Sequence, residues 1–254
     1  MLAFSRVGRI FPDGTEALRD VDVAVDSGEF VTVVGPSGCG KSTLLRLASG
    51  LDHPTSGSVQ VRSKRVGYVF QDPTLLPWRT VQHNVALLAE LEKVSRAERQ
   101  RRVAVAISLV GLEGFEKHRP RALSGGMRMR VSLARSLVLA PDVFLFDEPF
   151  GALDEMTRER LNDELLQLFM DRRFAALFIT HSVAEAVYMS TRVVVMSPRP
   201  GRIVGDVAVP FGYPRRPELR YSEEFGKVAG EVSDLLRDVP RWSGEPQRWP
   251  QARH

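Results

Sequence analysis

The stretch GPSGCGKST, residues 35–43, sets Gly35, Pro36, Ser37, Gly38, Cys39 and Gly40 directly before Lys41, Ser42 and Thr43. It satisfies the spacing G-x-x-x-x-G-K-[ST], in which a glycine-rich loop leaves backbone N–H groups free to wrap a polyphosphate. In that arrangement Lys41 supplies a point charge for the β and γ phosphates, and the Ser42 hydroxyl is a ligand for Mg2+. Cys39 reads as a small filler. A second stretch, VFLFDEP at residues 143–149, ends an apolar run on two adjacent acids. Asp147 at such a strand end is suited to hold magnesium through water. Pleating turns adjacent side chains in different directions, so Glu148 is free to face an attacking water as its general base. A third stretch, LSGGM at residues 123–127, puts Ser124, Gly125, Gly126 and Met127 against a helix-forming run. A helix start there offers unpaired N–H groups and a close backbone approach, which makes a second anion site.

These groups need a scaffold, and the sequence supplies one. FVTVV, residues 30–34, is a β-branched run suited to a strand buried on both faces just before the phosphate loop. Similar runs recur at residues 142–146, 176–180 and 192–196 with helix-like segments between them, the pattern of an α/β parallel sheet. Upstream, residues 18–25 alternate apolar and polar and close on Ser27 and Gly28, which predicts a half-buried strand of an antiparallel edge sheet. From about Thr80 to Leu139 the period is helical throughout, with a capping box at Ser95 and Glu98. After Arg202 the chain is expected to be irregular, with one amphipathic helix at about residues 225–236. The tail WSGEPQRWPQARH carries no core-forming pattern and is expected to be mobile.

Composition narrows the class. At 254 residues and 43% hydrophobic content the chain can bury a large core, as an ordinary globular protein does. Its net charge of +4 rests on scattered arginines, with 5 lysines among 35 basic residues, and the dense RAERQRR run at residues 96–102 reads as a solvated helix face. No nucleic-acid partner is expected. A single cysteine excludes an internal disulfide and fits a reducing cytosol. No run approaches the roughly 18 to 20 apolar residues that span a bilayer, and no apolar leader precedes Asp13, so the chain is expected to stay on the side where it is made.

With GPSGCGKST, LSGGM and VFLFDEP in this order, the chain resembles the ATP-binding cassette (ABC) ATPases, the motor subunits of ABC transporters, over about residues 1–210. The resemblance implies a P-loop NTPase core with a parallel sheet, an N-terminal antiparallel β subdomain and a helical subdomain inserted at about residues 77–140, followed by an extension at 211–254. It implies ATP and Mg2+ as cofactors. Gln71 in VFQDP is similar to the Q-loop glutamine that touches metal or water, residues 151–154 with Asp154 to the D-loop, and His181 in FITHS to the switch histidine that reaches the γ-phosphate. Ser182 and Glu185 also make a capping box, so His181 has a second reading as a plain helix-lead residue. Phe11 is placed like the aromatic that stacks on adenine. In this family two copies pair head to tail, so the resemblance implies that Ser124, Gly125 and Gly126 serve the nucleotide of a second copy. Met127 and Met129 stand where glutamine is commonest, which leaves those donors intact but bears on rate.

The stretch LLPWRT places Leu75, Leu76, Pro77 and Trp78 in a loop, where apolar side chains of that size seek a partner or fold back on their own core. Both it and SPRPGRI, residues 197–203, resemble the nitrate, sulfonate and taurine importer branch. That branch implies transmembrane permease subunits as partners, an indirect link to a substrate-binding protein, and a place on the cytoplasmic face of the cell membrane. The alternatives are an ABC importer motor for another small solute and, less favoured, a soluble ABC-type ATPase acting on nucleic acid or the ribosome; soluble ones of that kind carry tandem cassettes or heptad insertions, and this sequence has neither.

Overall fold

In the computed structural model, which describes residues 1–238, the chain begins with β1 (Leu2–Ile10) and β2 (Glu16–Val25), an antiparallel hairpin. β3 (Phe30–Val34) follows, then the phosphate loop and α1 (Lys41–Ala48). β4 (Ser56–Val61) returns to pair with β1, giving a small antiparallel sheet of order β2-β1-β4. β5 (Val66–Val69) forms one edge of the larger sheet, to which β3 also belongs. Three helices come next: α2 (Val81–Leu91), α3 (Arg96–Leu109) and α4 (Gly125–Leu137). The chain then alternates β6 (Val143–Asp147), α5 (Glu155–Arg172), β7 (Ala175–Ile179), α6 (Val183–Met189) and β8 (Arg192–Met196). It ends with β9 (Ile203–Ala208) and α7 (Glu223–Asp238).

The larger sheet has the order β5-β6-β7-β3-β8-β9, parallel from β5 through β8. Every residue of β3 is buried. Its pleat sends Phe30 and Val34 into a core shared with α5, α6 and the three-helix insert, while Val31 and Val33 face α1 and the antiparallel sheet. That placement explains why the run is continuously apolar. Phe30, Phe146, Phe169 and Phe178 pack as one aromatic group on the first side, with centroids 5.3–6.4 Å from Phe30.

Local signals in the sequence set the helix starts. Thr80, Ser95, Ser124, Asp154 and Ser182 each accept an N–H of the first turn with the side chain. The two expected capping boxes form only halfway. Glu98 turns outward to Arg101 and Arg102 at 2.7–2.8 Å instead of reaching back to Ser95, and Glu185 turns inward to the Thr180 hydroxyl. In each case a stronger or better buried partner wins the carboxylate.

The expected helix at about residues 225–236 is present as α7, but the stretch directly after Arg202 is a strand rather than irregular chain. β9 pairs antiparallel with β8 as the sheet edge, and Gly205 lies where a Cβ would come 2.6 Å from Leu235 of α7. The strand alternates only weakly, and the glycine that lets α7 settle on it lowers its strand character. Phe225 and Val232 of α7 are buried. Arg215 is 8% exposed and donates to the carbonyls of Val187, Tyr188, Ser190 and Phe211 at 2.6–2.9 Å, which ties the segment before α7 to the end of α6. The expectation for the tail at residues 242–254 lies outside the described residues.

Candidate functional site

The phosphate loop leaves the end of β3 and runs directly into α1. Gly38 and Gly40 hold φ values of 73° and 109°, and a Cβ on Gly40 would stand 2.8 Å from the Ala17 carbonyl and 2.7 Å from Leu18. Only glycine fits there. No side chain caps the start of α1, so its first N–H groups point into the loop without a side-chain partner. Lys41 is 6% exposed and donates from Nζ to the carbonyls of Gly35 at 2.8 Å and Pro36 at 3.0 Å. Among the described residues no carboxylate lies within ion-pair distance of it, although Asp147 is near enough to feel its charge. Cys39 is buried, and that burial pushes its thiol up, away from reactivity.

The two adjacent acids at the end of β6 diverge. Asp147 accepts the Ser42 hydroxyl at 3.0 Å and the Tyr68 hydroxyl at 3.3 Å. Burial raises its carboxyl above the usual range, against the lowering effect of those two bonds. Glu148 has φ 43°, and its N–H donates to the Ile179 carbonyl at the end of β7, 3.0 Å away. Its Oε2 lies 3.1 Å from Nδ1 of His181, just past β7. An ionised carboxylate only accepts, so the neutral imidazole that fits this contact carries its proton on Nδ1. Ser182 caps α6 one residue later, so His181 is a helix-lead residue and a partner of Glu148 at once.

A cleft of about 310 Å³ runs along this edge. Phe11, from the β1–β2 hairpin, Gln71, after β5, and Glu148 all line it together with the loop residues Ser37, Gly38 and Gly40 through Thr43. Its size is at the low end for a ligand pocket, and its carboxyl-edge location is the usual one in α/β sheets. Among the described residues no cluster of three His, Cys, Asp or Glu side chains could hold a metal alone. The hard oxygens of Ser42 and Asp147, already within 3.0 Å of each other, fit Mg2+, which ordinarily takes one or two protein oxygens and the rest from phosphate and water.

The LSGGM stretch stands apart, since none of its residues lines that cleft. Ser124 is exposed at the start of α4, where its Oγ accepts the Met127 N–H at 3.2 Å. Gly126 packs beneath α5, where a Cβ would meet Thr157 at 3.0 Å, and Asp154 caps α5 through the N–H of the same Thr157. The Ser124 and Asp154 turns are therefore one structural unit. Met129 is 4% exposed in the helical core and Met127 packs partly against it, which accounts for apolar residues there.

Of the four apolar loop residues, Leu75 folds back on the core and Leu76 is fixed through its backbone to the buried Asn84 amide, at 2.8 and 3.1 Å. Pro77 is exposed, and Trp78 is 68% exposed. The quartet thus splits between the two expected fates. Three positioning groups escaped the sequence reading. Tyr68 braces Asp147; Arg199 reaches the Gly38 carbonyl; and Arg135, 8% exposed on α4, donates to the carbonyls of Pro73 and Thr74 at 2.8 and 3.0 Å. An arginine on the buried stripe of α4 was the one legible signal among them.

Comparison with known proteins bears on the family and the fold. Residues 18–151 match the family model described as ABC transporter. An uncharacterised ABC transporter ATP-binding protein of Methanocaldococcus jannaschii is 46% identical over 230 residues, 88% of this chain and 85% of that protein. A nitrate import ATP-binding protein of Synechocystis is 44% identical, covering 87% of this chain and 88% of that one. An aliphatic sulfonates import ATP-binding protein of Bacillus licheniformis is 42% identical, covering 79% and 80%. Among solved structures, a dimeric ATP-binding cassette in a post-hydrolysis state with ADP and Pi superposes with a TM-score of 0.74 at 29% identity, covering 84% of this chain and all of that one. A shared family model, relatives that align over most of their length, and a cassette fold around a phosphate loop lead to one conclusion: the chain belongs to the ABC transporter family, as its ATP-binding cassette.

Proposed function

We propose that the chain is the ATP-hydrolysing motor subunit of an ABC importer for a small oxyanion such as nitrate, an aliphatic sulfonate or taurine. It works as a head-to-tail pair, peripheral on the cytoplasmic face of a membrane. No helix among the described residues is long and apolar enough to cross one, and in this reading permease subunits supply the translocation path. The carrying observation is the divergence of two neighbouring acids beside the phosphate loop, Asp147 toward Ser42 and Glu148 toward His181. The names of the nitrate and sulfonate relatives support the cargo class.

In this reading Phe11 stacks on adenine while the loop N–H groups from Gly38 onward take the polyphosphate. Lys41 exchanges the Gly35 and Pro36 carbonyls for phosphate oxygens, a trade of neutral acceptors for charged ones. Ser42, Gln71 and Asp147 would hold Mg2+, which would supply charge neutralisation for the polyphosphate. Glu148 takes the proton of the attacking water, and His181 keeps that carboxylate aimed. Because Ser124 Oγ already accepts from Met127, its own proton is available to donate to the γ-phosphate on a second copy. The partial positive charge at the start of α4 adds to it. Trp78 and Pro77 meet the permease, and Gln71, four residues before Leu75 in the same loop, carries nucleotide state to that contact.

The test is reconstitution with a candidate permease and binding protein in vesicles. ATP hydrolysis stimulated by nitrate, an alkanesulfonate or taurine is the expected result; a chain that turns over ATP yet associates with no membrane subunit overturns the importer assignment.

A further inference from the structure

The stretch SPRPGRI resembles one importer branch, but the mechanism above gives it no task. It forms the turn between β8 and β9, and that turn is wedged between two parts of the cleft wall. On one side the Gly201 N–H donates to the Ala17 carbonyl at 2.9 Å, and the Arg19 N–H donates to the Gly201 carbonyl at 3.0 Å, which bonds the turn to β2. On the other side a Cβ on Gly201 would lie 2.1 Å from the Cys39 carbonyl, so the turn rests directly on the phosphate loop. Ser197 closes it internally, accepting the Arg202 N–H at 3.0 Å.

Arg199 projects from this turn into the cleft. Its Nε and Nη2 donate to the Gly38 carbonyl at 3.2 and 3.0 Å, it is exposed, and Asp13 feels its charge without lying within ion-pair distance. It is the one arginine lining the cleft, alongside Phe11, Ala17 and Gly38. A guanidinium has five N–H donors, so three remain for a ligand. A loop that turns its N–H groups inward to phosphate must turn carbonyls outward, and two cations manage them here: Lys41 holds those of Gly35 and Pro36, Arg199 that of Gly38. Once Lys41 leaves for the phosphates, Arg199 alone continues to hold its carbonyl.

We infer that Arg199 is a nucleotide-affinity residue: it fixes the phosphate loop through the Gly38 carbonyl and presents its remaining donors to the bound nucleotide between the loop and the Phe11 hairpin. The inference rests on the ATPase reading above. Its position by β2 and the hairpin, with neither Glu148 nor His181 as a partner, means that it serves ATP and ADP alike and leaves the chemical step alone. Charge-assisted bonds of this kind correspond to roughly 10-fold or more in affinity.

The experiment measures ATP and ADP binding by calorimetry, together with KM and kcat, for the intact wild-type chain, R199A and R199K. The expected result for R199A is a loss of about 10-fold for both nucleotides, a matching rise in KM, and kcat within about 3-fold of wild type. R199K recovers part of the affinity, because one ammonium can hold the carbonyl but lacks the second planar set of donors. Melting without nucleotide shows whether the turn itself survives. Should R199A fail to fold, R199K carries the test, with normal melting and weakened binding of both nucleotides expected. Unchanged affinity in a folded variant overturns the inference while the ATPase reading stands. So does a loss confined to ATP, or to kcat. A wild-type chain that binds neither nucleotide overturns the ATPase reading itself.

Discussion

Nδ1 of His181 stands 3.1 Å from Oε2 of Glu148, and the two residues come from the ends of neighbouring parallel strands, β7 and β6. In the proposed mechanism the contact makes the base and its orienting group one unit. E148Q is expected to bind ATP as wild type does and to lose about 100-fold or more in kcat. H181A should lose turnover as well, and the double variant should be no worse than the more damaged single one, since members of one unit are not additive. Single-turnover kinetics with labelled ATP give the comparison; additive losses would mean that the two act separately.

Asp147 gives a pH signature. Its carboxyl is raised, chiefly by burial, so the native state binds its proton at a higher pH than the unfolded chain does. Ligand-free wild type therefore loses stability as pH rises through that raised value and regains it as pH falls. D147N has no such proton. The expected outcome is that D147N melts higher than wild type at neutral pH, and that the gap closes on acidification toward the unfolded carboxylate range. A gap that widens instead, in melting curves taken without nucleotide, would show that Asp147 is stabilised as an anion.

In the 75–78 loop Leu75 packs on the core while Trp78 is exposed, and the proposed reading gives docking to Trp78. L75A should lower stability, by about 1 kcal/mol or more, because its side chain packs on the helical core. W78A should leave melting and basal hydrolysis unchanged, since the ring is 68% exposed, and should weaken co-purification with permease subunits. Equal membrane association for W78A and wild type would remove that contact from the account.

Much of this was legible in the residues, and the exceptions have physical causes. The continuous runs that became β3, β6, β7 and β8 announced themselves because each buries both faces. The edge strand β9 did not, because Gly205, where α7 packs closely, breaks its apolar alternation. Glu98 and Glu185 fit a local capping pattern, yet arginines one turn on and a buried threonine claimed them. At the site, local motifs placed Lys41, Asp147 and Glu148 together. The braces Tyr68, Arg135 and Arg199 come from 27 residues after Lys41, from α4 and from a distant turn; only the fold brings them in.

The central claim is that each hydrolytic site is shared, with the phosphate loop from one copy and Ser124 from the other. K41A and S124A, each nearly inactive alone, can be mixed and assayed for ATP turnover. In a mixed pair one site has both its Lys41 and its Ser124, so turnover well above either variant alone is the predicted result. A mixture as inactive as its components, with pairing of the two variants verified, would contradict the shared site.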